Sequence, residues 1–270
     1  MIVNIMMSTK FNKAKLTFVK MYPQYTELLY LNKHASQHGR FFPKNITVVD
    51  NNKKYNFVYE HDDTTNLYML YDKNDNLGCL MILIDKSNAV IQNLNGDYEG
   101  CLCGSQLLKL SLKFLKENKS TLKINKIILS DNSIKKCFGN GIIFADMYML
   151  LYGLTWYMAH GFLPYDEHKN TTDLNSLKIA NKNKNIIEKT KIEDVKNLKL
   201  YIQTHGSEFN IPKLQAKIDK MGNKNIVELT KWFLKNYEKD WCTLFYNIYK
   251  SIMFDLGLES LHKKMFYMNI

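Results

Sequence analysis

The chain has 270 residues, 46% hydrophobic, 23% charged and 13% aromatic, a balance that makes one large or two small globular domains and excludes a disordered tail. With 12 Gly and 4 Pro and no self-similar period, collagen-like, low-complexity and solenoid classes drop out. The net charge of +11 is almost wholly lysine, Arg40 being the one arginine among 37 basic residues. Base readout and bidentate phosphate clamps favour arginine, so this charge predicts a solvated cationic surface and no specific nucleic-acid partner.

Residues 1–7 are a short apolar run with no basic flank and no small-residue cleavage site, which predicts no secretory leader and a cytoplasmic location. From Phe11 to Gln37 the pattern is helical, interrupted at Pro23 and ended by Gly39. Five short apolar segments follow, over 46–49, 55–59, 67–71, 77–84 and 90–94, separated by Asp/Asn-rich turn clusters. Such spacing predicts an antiparallel meander.

Beyond it the period lengthens. Leu107, Leu108, Leu110, Phe114 and Leu115 make a broad apolar face, which predicts a helix over 104–116 packed on a sheet. The run Lys126 to Ser130 is a further strand, so strand, helix and strand form a βαβ unit with two parallel strands. From Ile142 to His160 the chain is apolar apart from Asp146, and its Tyr, Thr and Trp content favours a helix buried against the sheet over a membrane span. A short strand is expected over 162–165.

Residues 166–185 are polar, rich in Asn and Lys, and show no apolar period, which reads as a linker. Beyond it, 192–203, 212–221, 226–237 and 241–256 each have helical spacing. The five cysteines, Cys79, Cys101, Cys103, Cys137 and Cys242, are an odd number in a chain with no recognised leader, which predicts reduced thiols. None lies in a zinc-ligand spacing, so no metal is expected.

The chemistry concentrates between residues 90 and 165. A strand ending Gln92-Asn93-Leu94-Asn95 leads through Gly96-Asp97-Tyr98-Glu99-Gly100-Cys101 into Leu102-Cys103-Gly104-Ser105-Gln106-Leu107-Leu108, which opens a helix. Backbone N–H groups left unpaired at a helix start, together with the positive end of its dipole, attract an anion such as a phosphate.

This order of parts resembles the GCN5-related N-acetyltransferase superfamily. There a strand, a Q/R-x-x-G-x-G/A loop and a helix hold the pyrophosphate of acetyl-coenzyme A. Gly104 matches a loop glycine, whereas Leu102 stands at the first glycine and Glu99 at the Gln or Arg; a register with Cys103 and Ser105 as the small residues is the alternative alignment. The segment Trp156-Tyr157-Met158-Ala159-His160-Gly161-Phe162 is similar to the family's aromatic-Tyr-x-x-x-Gly-Phe block, which makes Tyr157 the phenol that returns a proton to the departing thiolate. A tyrosine simply packed on the sheet is the alternative for Tyr157.

The resemblance implies an α+β fold with a mixed, mostly antiparallel central sheet flanked by helices. The resemblance covers about 46–168, an acyl-coenzyme A-binding core, while composition and periodicity read the flanks as an N-terminal helical segment (1–45), a polar linker (169–185) and an all-helical C-terminal extension (186–270). It further implies an acetyl-coenzyme A-dependent N-acetyltransferase acting on a primary amine by direct attack in a ternary complex. Asn93, Leu94 and Asn95 would bind the pantetheine arm and the oxyanion, and Leu102, Cys103, Gly104, Ser105 and Gln106 the pyrophosphate. Asp97, Glu60 and His160 are candidate bases, and Lys109, Lys135 and Lys136 candidate phosphate partners. The other readings are a catalytically inactive binding module of the same fold, favoured by Leu102 and Glu99, and a basic nucleic-acid-binding protein.

Overall fold

The computed structural model describes residues 44–62, 65–71, 78–96, 99–137, 140–195, 197–205, 211–236 and 241–270. The helix expected over 11–37 and the turn residues Asp97 and Tyr98 lie outside them. The fold is α+β, with strands mostly antiparallel and one parallel pair. It divides into two compact units, one running to Leu129 with Asn269–Ile270, the other spanning Ser130–Met268.

In the first unit the meander forms as expected: β1 (Asn45–Asp50), β2 (Lys53–Asp62), β3 (Thr65–Tyr71), β4 (Gly78–Asp85) and β5 (Asn88–Leu94) pair antiparallel in sequence order. Helix α1 (Gly104–Glu117) and a single turn, α2 (Lys119–Leu122), connect β5 to β6 (Lys126–Ser130), which lies parallel to β5. The helix is anchored through Phe114, whose ring stacks on Phe57 at 4.1 Å and tilts against Tyr68 at 5.2 Å. All three side chains are fully buried. On the opposite face of the same strands Leu67, Met69, Met81 and Leu83 form a second apolar cluster. With both faces of β4 covered, its sequence reads as a continuous hydrophobic run rather than an alternation.

In the second unit the apolar stretch 142–160 is not one helix. Its first residues belong to a hairpin of β7 (Ile134–Cys137) and β8 (Asn140–Ile143), followed by α3 (Phe144–Tyr152) and α4 (Trp156–Ala159). Gly153 ends α3 in the left-handed region at φ +73°, which a residue with a Cβ adopts only under strain. Strand β9 (Leu163–Asp166) matches the expected one and pairs with β10 (Thr171–Thr172).

The expected linker is largely helical. Helix α5 (Leu174–Lys189) starts at Asp173, whose carboxylate accepts from the Asn175 and Ser176 amides. Its buried positions are Ser176, Ala180, Asn183 and Ile187, three of them small or polar, so its inner face carries no apolar stripe. Helices α6 (Leu198–His205), α7 (Ile211–Asp219), α8 (Ile226–Asn236) and α9 (Trp241–Asp255) follow as expected, preceded by a 3-10 turn at Ile192–Asp194. The extension is not all-helical, because β11 (Met265–Asn269) pairs with β9. Leu150, Ile187, Ile202, Leu229, Phe233, Tyr249 and Ile252 belong to the core of this unit.

The segment before β11 is held by buried polar groups. Asn183, fully buried, donates to the Glu259 carbonyl at 2.7 Å and accepts from its amide at 3.2 Å. Asp146 accepts from Ser260 Oγ at 2.5 Å, and the Asp131 backbone exchanges hydrogen bonds with Lys263 and Lys264.

Candidate functional site

Strands β5 and β6 pair from Asn88 opposite Lys126 to Ile91 opposite Leu129, and there the parallel ladder stops. Strand β5 itself runs on to Leu94. Its extra residue, Gln92, is a bulge against β4, where Ile82 faces Ile91 and Met81 faces Asn93. On the β6 side, Gln92, Asn93 and Leu94 have no strand partner among the described residues. The Asn95 amide donates to the Cys79 carbonyl at 2.8 Å. Successive residues of a strand aim their N–H groups to opposite sides, so the Leu94 amide points to the open side. Of the three residues expected to offer an N–H to an oxyanion, Asn95 is therefore committed to β4, and Leu94 is the one directed outward.

The helix that follows begins beside this opening. Cys103 is the N-cap of α1, with no side-chain cap and no acidic residue in the first turn. Its carbonyl accepts from the Gln106 and Leu107 amides, which leaves the Gly104 and Ser105 amides as the outermost N–H groups of the helix. Gln106 thus contributes its exposed side chain, not its N–H, to any anion at this tip. Among the described residues, a Cβ built on Gly104 meets nothing within 4 Å, so they leave the space over its backbone open. A Cβ on Gly96 would fall 2.2 Å from the Gly104 nitrogen, so the turn leaving β5 touches the helix tip and only glycine fits there. Leu102 is half-buried and Ser105 exposed.

One feature contradicts the expectation of reduced thiols: Cys79 and Cys101 form a disulfide, with Cα atoms 5.6 Å apart. Cys103 is a free, exposed thiol.

Among the cationic candidates, Lys109 is paired with Asp50 at 3.6 Å, while Lys135 and Lys136 lie on β7 in the second unit. Among the candidate bases, Glu60 accepts a hydrogen bond from the Tyr71 hydroxyl. His160 sits just after α4 with its ring edge-on to Trp156 at 5.2 Å, and partial burial lowers its pKa.

Tyr157 belongs to the second unit, 5% exposed, its ring centroid 6.0 Å from those of Phe162 and Phe266 and 4.9 Å from that of Trp156. The structure thus gathers Leu94 and residues 102–106 in one unit and sets Tyr157 in the aromatic core of the other.

Sequence reasoning passed over two carboxylates in that second unit. Asp131 is buried: Oδ1 accepts from the Ser133 hydroxyl at 2.5 Å and the Ser133 amide at 3.3 Å, while Oδ2 has no partner among the described residues. Burial pushes its pKa up to about 6 against the lowering effect of Ser133, with the charge of Asp146 adding to the rise. Asp146 is also raised to about 6 by burial, opposed by Ser260 and the Lys250 charge. A lone acid in the apolar run 142–160 was the sequence signal for Asp146.

No described helix is long and apolar enough to cross a membrane. Among the described residues no group of three or more His, Cys, Asp or Glu is placed to hold a metal ion. Compared with models of protein families, with curated proteins and with solved structures, the chain matches none.

Proposed function

We propose that the chain is an acetyl-coenzyme A-dependent N-acetyltransferase that acetylates a primary amine by direct attack on the bound thioester. The observation that carries this reading is that the β5–β6 ladder ends at Ile91 and Leu129, one residue before β6 ends and three before β5 does, beside a helix tip that has no side-chain cap and, among the described residues, is open above Gly104. A strand with free backbone groups binds an extended amide-bearing chain such as pantetheine as a neighbouring strand would. The Gly104 and Ser105 amides, at the positive end of a 14-residue helix, suit the pyrophosphate that terminates that arm.

The chemistry then follows from the parts. The neutral amine attacks the thioester carbonyl, the Leu94 N–H stabilises the oxyanion, the attacking nitrogen gives up a proton to water, and collapse of the tetrahedral intermediate expels the coenzyme thiolate. Loss of one such donor typically costs roughly 3 to 4 kcal/mol of barrier stabilisation. Tyr157, by the family resemblance, returns a proton to the thiolate.

A second reading, an inactive binding module of the same fold, is favoured by the exposed Glu99 and by Leu102 in place of a glycine. An assay of acetyl-coenzyme A-dependent thiol release across a panel of amines separates the two. An acetyltransferase releases coenzyme A with at least one acceptor class, and a module that binds acetyl-coenzyme A but releases no thiol with any amine is inactive.

A further inference from the structure

The Cys79–Cys101 disulfide joins two places of different rigidity. Cys79 is the second residue of β4, 2% exposed, in a strand paired on both sides. Cys101 is half-buried and lies two residues before the N-cap of α1. The end of β5 is tied to the start of β4 by further bonds, since the Asn95 amide donates to the Cys79 carbonyl and Asn95 Nδ2 donates to the Gly78 carbonyl at 2.9 Å. Downstream, the first turn of α1 closes on the Cys103 carbonyl. Between these anchors Glu99 and Gly100 are exposed, Gly100 has φ +87°, and no hydrogen bond joins residues 99–102 to another described residue. Among the described residues, the sulfur–sulfur bond is therefore the strongest tie holding this stretch to the sheet.

We propose that the Cys79–Cys101 disulfide is a redox-operated clamp: closed, it fixes residues 99–103 and with them the tip of α1, and opened by a thiol it releases that segment. Reduction by a dithiol breaks the sulfur–sulfur bond, places two electrons and two protons on the two cysteine sulfurs, and leaves the reductant as its cyclic disulfide. The half-buried Cys101 is the sulfur open to attack. Releasing the tie returns conformational freedom to residues 99–102, since most of the 22-residue separation between the two cysteines is taken up by the paired strands β4 and β5. The consequence for cofactor affinity rests on the acetyltransferase reading: an anion site whose amides must be ordered on binding holds its ligand more weakly than one already set.

Glu99 supplies the probe, because a glutamate-specific endoprotease cuts after it only when the segment moves free of the sheet. On the full chain, cleavage after Glu99 is expected to be at least about ten-fold faster with dithiothreitol than without, while cleavage after the exposed Glu167 is unchanged, and reoxidation restores the slow rate. The double variant Cys79→Ser, Cys101→Ser is expected to cut fast in either condition. Equal rates in oxidised and reduced wild type overturn the clamp, and that comparison decides even where the variant fails to fold. Titration of acetyl-coenzyme A into both forms gives the second readout, with the dissociation constant about ten-fold higher after reduction. Cleavage that responds while the two constants agree overturns the coupling to the cofactor. Cleavage that responds while neither form binds acetyl-coenzyme A leaves the clamp standing and removes the acetyltransferase reading.

Discussion

Gly96 lies against the tip of α1 so closely that a Cβ on it would stand 2.2 Å from the Gly104 backbone nitrogen, whereas the same atom on Gly104 would meet nothing within 4 Å among the described residues. Two glycines of one turn thus carry opposite constraints. Gly96 is required by the protein's own packing, and Gly104 leaves room that no described residue fills. The contact at Gly96 is with backbone, which has no rotamer to escape into, so Gly96→Ala is expected to destabilise by about 1 to 3 kcal/mol. Denaturant unfolding monitored by circular dichroism checks this, and an unchanged midpoint contradicts the contact.

The buried amide of Asn183 satisfies both backbone groups of Glu259, and its replacement by alanine leaves a buried carbonyl and N–H without partners. Asn183→Ala is expected to cost roughly 2 to 4 kcal/mol, from the lost hydrogen bonds and the unmet backbone groups together. Urea unfolding of the two proteins measures it. A change below about 0.5 kcal/mol would mean that water reaches Glu259 and that the segment is not clasped.

Asp131 and Asp146 set a pH dependence with a definite sign. Both have folded-state pKa values raised to about 6 by burial. A raised carboxyl binds more protons folded than unfolded, so its contribution is fully present below the unfolded value near 4 and is lost as pH rises through about 6. The second unit is expected to melt at a higher temperature at pH 5 than at pH 7.5, by an increment that shrinks in Asp146→Asn. The asparagine keeps an acceptor for Ser260 and cannot ionise. Equal pH slopes in the two proteins would remove Asp146 from the account.

Much of this arrangement is legible in the sequence. Turn clusters at 50–52 and 85–88 mark the ends of β1 and β4, and the broad apolar face of 104–116 declares α1. Helix α5 is hidden because its buried positions are Ser176, Ala180 and Asn183 beside a single Ile187, and an apolar period has nothing to register there. The stretch 142–160 reads as one helix because burial, not periodicity, dictates its composition, and only Gly153 betrays the break. The disulfide is invisible for a different reason. Pairing depends on the bulge and turn that bring Cys101 back to β4, and an odd cysteine count points the other way. Likewise, that Asn95 turns its N–H to Cys79 and Leu94 turns outward depends on register, which composition does not set.

Tyr157→Phe tests the proton donor proposed from the family resemblance. The phenylalanine keeps the ring that packs near Phe162 and Phe266, so acetyl-coenzyme A binding should stay unchanged. Steady-state turnover with a competent amine is expected to fall about ten-fold or more. Turnover equal to wild type assigns Tyr157 to the aromatic core alone.

The most direct measurement is calorimetric titration of acetyl-coenzyme A into the oxidised wild type and into Ser105→Glu. Ser105 is exposed in a first turn that carries no acidic residue, and a carboxylate there favours the start of a helix, so the variant should melt no lower than wild type. Binding to wild type is expected at roughly micromolar dissociation constant, and the added negative charge, at the tip where a pyrophosphate would sit, should weaken it about ten-fold or more. Absence of binding to wild type, or equal binding by a fully folded Ser105→Glu, would contradict a coenzyme site beside the end of β5 and the tip of α1.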